Sequence, residues 1–262
     1  MRSAIWSAGV KVIFCVICGL ERSGTTLVSE LLRQVPGVDA GFEIGVLLGD
    51  TPRDFPGLAP YAEELRTHWD LAVPTMAYCC DTDDFAEFYR RLQAATPVLR
   101  PGTRAMFDKT PRYLTRLRDC MDKIGVPFIV TYKDPRSVVF SDFKISGAEN
   151  FDAWFETYAP EKLGYMRLHY ASFQRARGDA RVCLVRLEEL CLQPRATCTR
   201  LFAHVGVHFH LGYLAFRTDR FPATRAGSIT AGAPFEYMTG LGVVRCRRVA
   251  RVFGEFDDWF FE

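Results

Sequence analysis

The stretch Val12-Ile13-Phe14-Cys15-Val16-Ile17-Cys18-Gly19-Leu20-Glu21-Arg22-Ser23-Gly24-Thr25-Thr26-Leu27-Val28 decides the fold. An unbroken apolar run over 12–18 ends in a turn built of glycines and hydroxyl residues. A helical pattern follows at once, with Leu27, Val28, Leu31, Leu32 and Val35 at the spacing of one buried helix face. Such a strand–loop–helix unit aims backbone N–H groups, and the positive end of the helix dipole, at whatever occupies the loop. It reads as a phosphate cradle.

Outward from this unit the same grammar repeats. Residues 105–108 read as a short strand running into Lys109-Thr110-Pro111-Arg112, with Pro111 at the first helical position and Thr110 as the cap. Residues 127–132 form another strand, Lys133-Asp134-Pro135-Arg136 the junction with Asp134 as cap, and Val138, Val139 and Phe143 the helix face. A further strand is predicted at 181–186, a helix from Pro194 to about Val205, and a closing helix at 243–256. Between the first two units, residues 36–41 make a turn that delivers Phe42-Glu43-Ile44. Residues 51–60 are proline-rich and aperiodic, and so read as loop. Helical patterns follow at 61–71 and 83–95, the second with Phe85, Phe88, Tyr89 and Leu92 on one face. A long aromatic-rich helical region at 151–176 should break at Pro160, and 216–242 reads mostly as loop. Strands alternating with helices predict an α/β fold, a central parallel sheet flanked by helices. The chain 1–262 is expected to form a single domain with a helical insertion at about 51–100.

The chain has 262 residues, 48% of them hydrophobic and 24% charged, enough apolar content for a sizeable core. A net charge of +2 is too small to argue for nucleic acid or an anionic membrane surface, so any anion site must arise from local placement of cations. Nine cysteines lie without zinc spacing. Cys15 and Cys18, inside a strand, would point to opposite faces, and Cys79-Cys80 is an equally poor chelate. They read as small buried hydrophobes in a reducing compartment. The apolar run after Met1–Lys11 is too short for a signal peptide followed by cleavage, and no stretch is long enough to span a membrane. A cytoplasmic protein is expected. The histidines His68, His169, His204, His208 and His210 sit at no predicted strand end, and no metal site is expected.

The main signal lies in the junctions taken together. Arg22, Lys109 and Lys133 each follow a predicted strand at the start of a helix, and Arg112 and Arg136 fall in first turns. Cations there are unfavourable by about 0.3–1 kcal/mol each, because the helix N-terminus is already positive. In a parallel sheet the carboxyl ends of the strands lie along one edge, where ligands bind. Three repeated misplacements on that edge point to a shared polyanion. The first loop, Gly19 to Thr26, nearly matches the ATP/GTP pattern GxxxxGK[ST], giving a P-loop-like unit. Thr25, however, stands in the lysine position and cannot supply its charge. The cation has moved to Arg22, which argues for a phosphorylated nucleotide other than an ordinary NTP.

These residues resemble the sulfotransferases that use 3′-phosphoadenosine-5′-phosphosulfate (PAPS). Their 5′-phosphosulfate loop reads roughly G-x-x-[RK]-S-G-T-T, which Gly19 to Thr26 fits throughout. Their 3′-phosphate motif reads roughly R-[DN]-P-[RK]-x-x-x-x-S, which the segment from Lys133 to Ser141 fits except at its first residue. Val185-Arg186-Leu187-Glu188-Glu189-Leu190, then Gln193-Pro194 and a helix ending at Gly206, is similar to a further landmark.

The resemblance implies that Arg22, Ser23, Gly24, Thr25 and Thr26 bind the 5′-phosphosulfate end. It implies that Lys133 and Ser141, with Arg136 nearby, hold the 3′-phosphate. Lys133 in place of arginine trades a bidentate fork for a point charge. Read without the resemblance, Ser141 is better taken as a mid-helix hydroxyl bonding back to an earlier carbonyl. The small-molecule branch carries its base histidine in a K-T-H motif, where Pro111 stands here. The branch resembling tyrosylprotein and carbohydrate sulfotransferases can use a glutamate in a G-x-E context, as in Gly41-Phe42-Glu43. The resemblance therefore makes Glu43 the catalytic base and Lys109 the group that stabilises the bridging oxygen, with Arg22 sharing the charge. The acceptor would be a hydroxyl on a carbohydrate first, with a small natural product or a peptide tyrosine also open. A P-loop kinase or NTPase, and a non-catalytic nucleotide-binding relative, are the competing readings.

Overall fold

The computed structural model describes residues 12–215, 229–257 and 259. Its centre is a five-stranded sheet in the order β2-β3-β1-β4-β5, every pair parallel. The strands are β1 (Ile13–Gly19), β2 (Val38–Asp39), β3 (Ala105–Lys109), β4 (Phe128–Tyr132) and β5 (Val182–Arg186). β1 is buried along its whole length because it lies mid-sheet with helices on both faces. The run 12–18 therefore shows no polar alternation. Cys15 and Cys18 face opposite layers, as their spacing requires. All nine cysteines are free thiols, eight of them buried.

One layer holds α1 (Thr25–Leu32) and α9 (Pro194–His204), whose Leu27, Leu31, Leu201 and Phe202 pack against Cys15, Ile17 and Ile129. The other holds α5 (Leu117–Lys123), α7 (Phe151–Ala176) and the helices of residues 51–100. In that segment are α2 (Tyr61–His68), α3 (Val73–Cys80) and α4 (Phe85–Ala95). Trp69, Phe85, Phe88 and Tyr89 are core residues there rather than a ligand platform. α6 (Pro135–Ser146), α8 (Leu187–Leu192) and α10 (Glu236–Phe253) complete the set.

Several local expectations are corrected. α7 runs unbroken through Pro160: its buried stripe Phe151, Phe155, Ala159, Met166, His169, Phe173 continues on both sides, and this packing outweighs the ~3 kcal/mol cost of an interior proline. Residues Pro52–Gly57 form a 3₁₀ helix with a Thr51–Asp54 capping box rather than open loop, and α3 was not foreseen. Pro111 opens a 3₁₀ turn (Pro111–Arg116) rather than an α-helix, and the Thr110 hydroxyl does not cap that turn. α10 begins at Glu236; Gly242, at φ 70° and ψ 170°, kinks it just before the expected start at Val243. The rest of the loop expected at 216–242 lies largely outside the described residues. His210 caps a short 3₁₀ turn, accepting from Gly212 N–H at 3.2 Å. Among the described residues no helix is long and apolar enough to cross a membrane.

Candidate active site

The chain leaves β1 for β2 on one side and returns through β3 to β4 on the other, so the topological switch lies beside β1, where ligands of open α/β sheets bind. Gly19 pairs with Thr131, and Ile17 with Lys109, which sets the loop after β1 level with the ends of β3 and β4. The loop itself is built for close contact. Arg22 takes a left-handed φ of 69°, uncommon for a side chain larger than glycine, and Gly24 follows at φ 93°. Ser23, 1% exposed, donates to Leu20 O at 2.5 Å and lies 2.7 Å from Thr131 Oγ1, tying the loop to β4. Gly24 is the N-cap of α1 and supplies no side-chain cap, so the first N–H groups of the helix are left for an external acceptor.

At the end of β3, Lys109 Nζ lies 2.9 Å from Glu43 Oε1, and 5.0 Å from the centroid of the Phe42 ring. The lysine is 6% exposed and the glutamate 21%, so the pair is half-screened yet open on the carboxylate side. Glu43 lies in no helix, in the irregular segment between β2 and the 3₁₀ turn Val46–Leu48. Gly41 is required on packing grounds: a Cβ there would stand 2.6 Å from the Trp69 ring. Trp69 Nε1 donates to Phe42 O at 2.9 Å and holds the segment from that side.

At the end of β4, Lys133 is buried and has no hydrogen bond or ion pair among the described residues. Burial pulls its pKa from 10.5 down to about 8, and Glu188 partly offsets the fall. A buried lysine whose ammonium touches no carboxylate directly is an incomplete arrangement. Together with the uncapped α1, it fits a ligand anionic at both ends. Ser141 does not bond back along α6; its Oγ accepts from Arg22 Nε at 3.2 Å, so the 5′ and 3′ sets of residues meet in space. Arg136 is otherwise engaged: its Nε bonds Asp134 Oδ1 at 2.9 Å and Oδ2 at 3.0 Å, and its guanidinium lies 5.0 Å from the Tyr237 ring centroid. Asp134 caps α6 as expected, accepting from Arg136 N–H at 2.8 Å.

Two sets of residues were not foreseen. The Tyr165 hydroxyl on α7 donates to Glu21 of the loop, the His169 ring lies tilted against Tyr165 with centroids 4.1 Å apart, and Arg112 lies 5.9 Å from the same Tyr165 ring. Glu21 Oε2 and His169 Nε2 are buried without partners in the described structure. Burial lowers the His169 pKa. Beneath Lys109, Asp108 is fully buried, and burial raises its pKa to about 6. A charged residue in a strand covered on both faces must find buried partners, and that is the signal that could have flagged it.

The sequence profile described as the sulfotransferase family matches residues 15–210. The chain belongs to the sulfotransferase family. Solved structures share the fold at low identity. The sulfotransferase domain of the Synechococcus PCC 7002 olefin synthase is 19% identical, with 92% of this chain and 94% of that one covered and a TM-score of 0.62. The sulfotransferase domain from the curacin biosynthetic pathway is 15% identical, covering 90% and 95% at a TM-score of 0.57. The mouse sulfotransferase SULT7A1, crystallised with PAP, is 11% identical over 94% and 84% at a TM-score of 0.52. No curated protein sequence is significantly similar. In this sulfotransferase, then, the loop after β1, the Glu43–Lys109 pair and the buried Lys133 share one edge of the sheet.

Proposed function

We propose that this sulfotransferase moves the sulfuryl group of PAPS to an acceptor hydroxyl, with Glu43 as base. The observation that carries the reading is the Glu43–Lys109 contact of 2.9 Å on the rim where Arg22 and Lys133 also stand. Glu43, 2.9 Å from Lys109 Nζ, takes the acceptor proton as the oxygen attacks sulfur. Lys109, passing from Glu43 toward the bridging oxygen, offsets charge as the bond to the leaving phosphate lengthens. Arg22 and the N–H groups of Gly24, Thr25 and Thr26 hold the 5′ end, with Ser23 bracing the loop. Lys133 and Ser141 hold the 3′-phosphate, and Arg136 adds positive charge while forked onto Asp134. PAPS supplies the activated sulfuryl group, so rate comes mainly from positioning and charge stabilisation.

The same chemistry disfavours an NTPase: Thr25 sits at the lysine position of the loop. The acceptor is proposed to be a carbohydrate hydroxyl, supported by the polar side chains of Glu21, Tyr61, Arg112 and Tyr165, which interact with one another near Glu43. The one-domain organisation with its 51–100 insertion, and a cytoplasmic location suited to nine free thiols, belong to the same proposal. Calorimetry with adenosine 3′,5′-bisphosphate against ATP-magnesium, followed by an acceptor screen with ³⁵S-labelled PAPS, tests it. Preference for ATP, or bisphosphate binding without transfer to any glycan, small-molecule or tyrosine acceptor, would overturn the proposal.

A further inference from the structure

Under the Glu43–Lys109 pair lies a carboxylate that the transfer itself does not use. Asp108 accepts from Tyr89 Oη at 2.7 Å, Tyr113 Oη at 2.6 Å and Thr110 Oγ1 at 2.8 Å. The Thr110 oxygen accepts in turn from the backbone N–H groups of Ile44 and Gly45, each at 3.1 Å, and the Tyr113 oxygen from Leu47 N–H at 3.3 Å. A hydroxyl has one hydrogen and two lone pairs, so Thr110 is fully used. The direction of these bonds is forced. An ionised carboxylate only accepts; each hydroxyl must turn its hydrogen to Asp108 and its lone pairs to the segment after Glu43.

We propose that Asp108 is a positioning residue for the reaction: through Thr110 and Tyr113 it fixes residues 44–47, and so sets Glu43 against Lys109. The proposal rests on the assignment of Glu43 as base. The segment is held from its other side by the Trp69–Phe42 bond, so Glu43 stands between two anchors. Asn at 108 would keep the size but reverse part of the polarity. With its oxygen on the tyrosines, its amide faces a Thr110 oxygen that already accepts twice, and the Thr110 hydrogen loses its acceptor.

The test uses the full chain and the variants Asp108→Asn, Thr110→Val and Thr110→Ser. Hydrogen exchange of the peptide spanning 42–48 should accelerate in the first two by about tenfold or more, with kcat falling by a similar or larger factor. Adenosine 3′,5′-bisphosphate affinity should stay as in the parent, because the loop after β1 and Lys133 are not on this network. Thr110→Ser, which keeps the hydroxyl, should restore both readouts. The double variant Asp108→Asn/Thr110→Val should be no worse than the poorer single, because both break one chain of bonds. Parent-like exchange and kcat in Asp108→Asn and Thr110→Val would overturn the proposal. So would a loss that falls equally on bisphosphate affinity, which marks general unfolding. Full transfer by Glu43→Gln would instead overturn the assignment of the base, and exchange at 42–48 would still decide whether Asp108 orders the segment.

Discussion

Raising the pH should weaken bisphosphate binding through Lys133. The residue is 5% exposed, and burial pulls its pKa from 10.5 to about 8, offset by Glu188 and Asp142 and reinforced by Arg22 and Lys144. A phosphate monoester has its second pKa near 6, so above pH 7 the ligand no longer titrates. A neutral amine offers the 3′-phosphate no charge. The apparent Kd then scales as 1 + 10^(pH − pKa), roughly 1.1 at pH 7 and roughly 11 at pH 9, a loss near 1.4 kcal/mol. Binding at pH 9 should also take up about 0.9 proton, since most of the free protein has lost it. Calorimetry at pH 7, 8 and 9 in buffers of different ionisation enthalpy reads both quantities. Lys133→Arg keeps its charge throughout and should flatten the profile. A level profile in the parent, or an unchanged slope in Lys133→Arg, would refute the reasoning. Stability of the free protein runs the other way. Between about pH 8 and 10.5 the unfolded chain holds the proton that the fold has released, so resistance to urea should rise with pH across that window.

Arg22→Ala should cost on the order of 3 kcal/mol of transition-state stabilisation, read as kcat/KM, and unchanged turnover would remove Arg22 from the site. Glu43→Gln should bind the bisphosphate as the parent does while losing transfer, which single-turnover assays with labelled PAPS would show. Gly41→Ala drives a Cβ to 2.6 Å from the Trp69 ring; a loss of about 1–3 kcal/mol in denaturant titration is expected, with turnover reduced alongside.

The sheet and its loops were legible because the strands are apolar runs closed by marked junctions. Val12 to Val28 needed only periodicity and a glycine turn, and the cations at Arg22, Lys109 and Lys133 gave away the shared edge. What stayed hidden depends on contacts between distant segments. Nothing local says that Tyr89 and Tyr113 would meet at Asp108, or that Tyr165 would reach Glu21, since those partners come from different helices. α3 escaped because Val73–Cys80 shows only Met76, Cys79 and Cys80 as buried residues and no polar face to set a period. Pro160 misled for the opposite reason: a strong local rule was overridden by a buried stripe longer than the disruption.

The contact between Arg22 and Ser141 joins residues 119 apart in the chain, and it has a bearing on selectivity. The bond links the two ends of the proposed nucleotide cleft like a clasp. A ligand charged at one end opens the clasp and leaves the other half without a partner. A ligand charged at both ends replaces what it displaces. Under the proposed function, adenosine monophosphates should thus be penalised beyond the loss of one phosphate contact, the cleft gauging charge separation as much as charge.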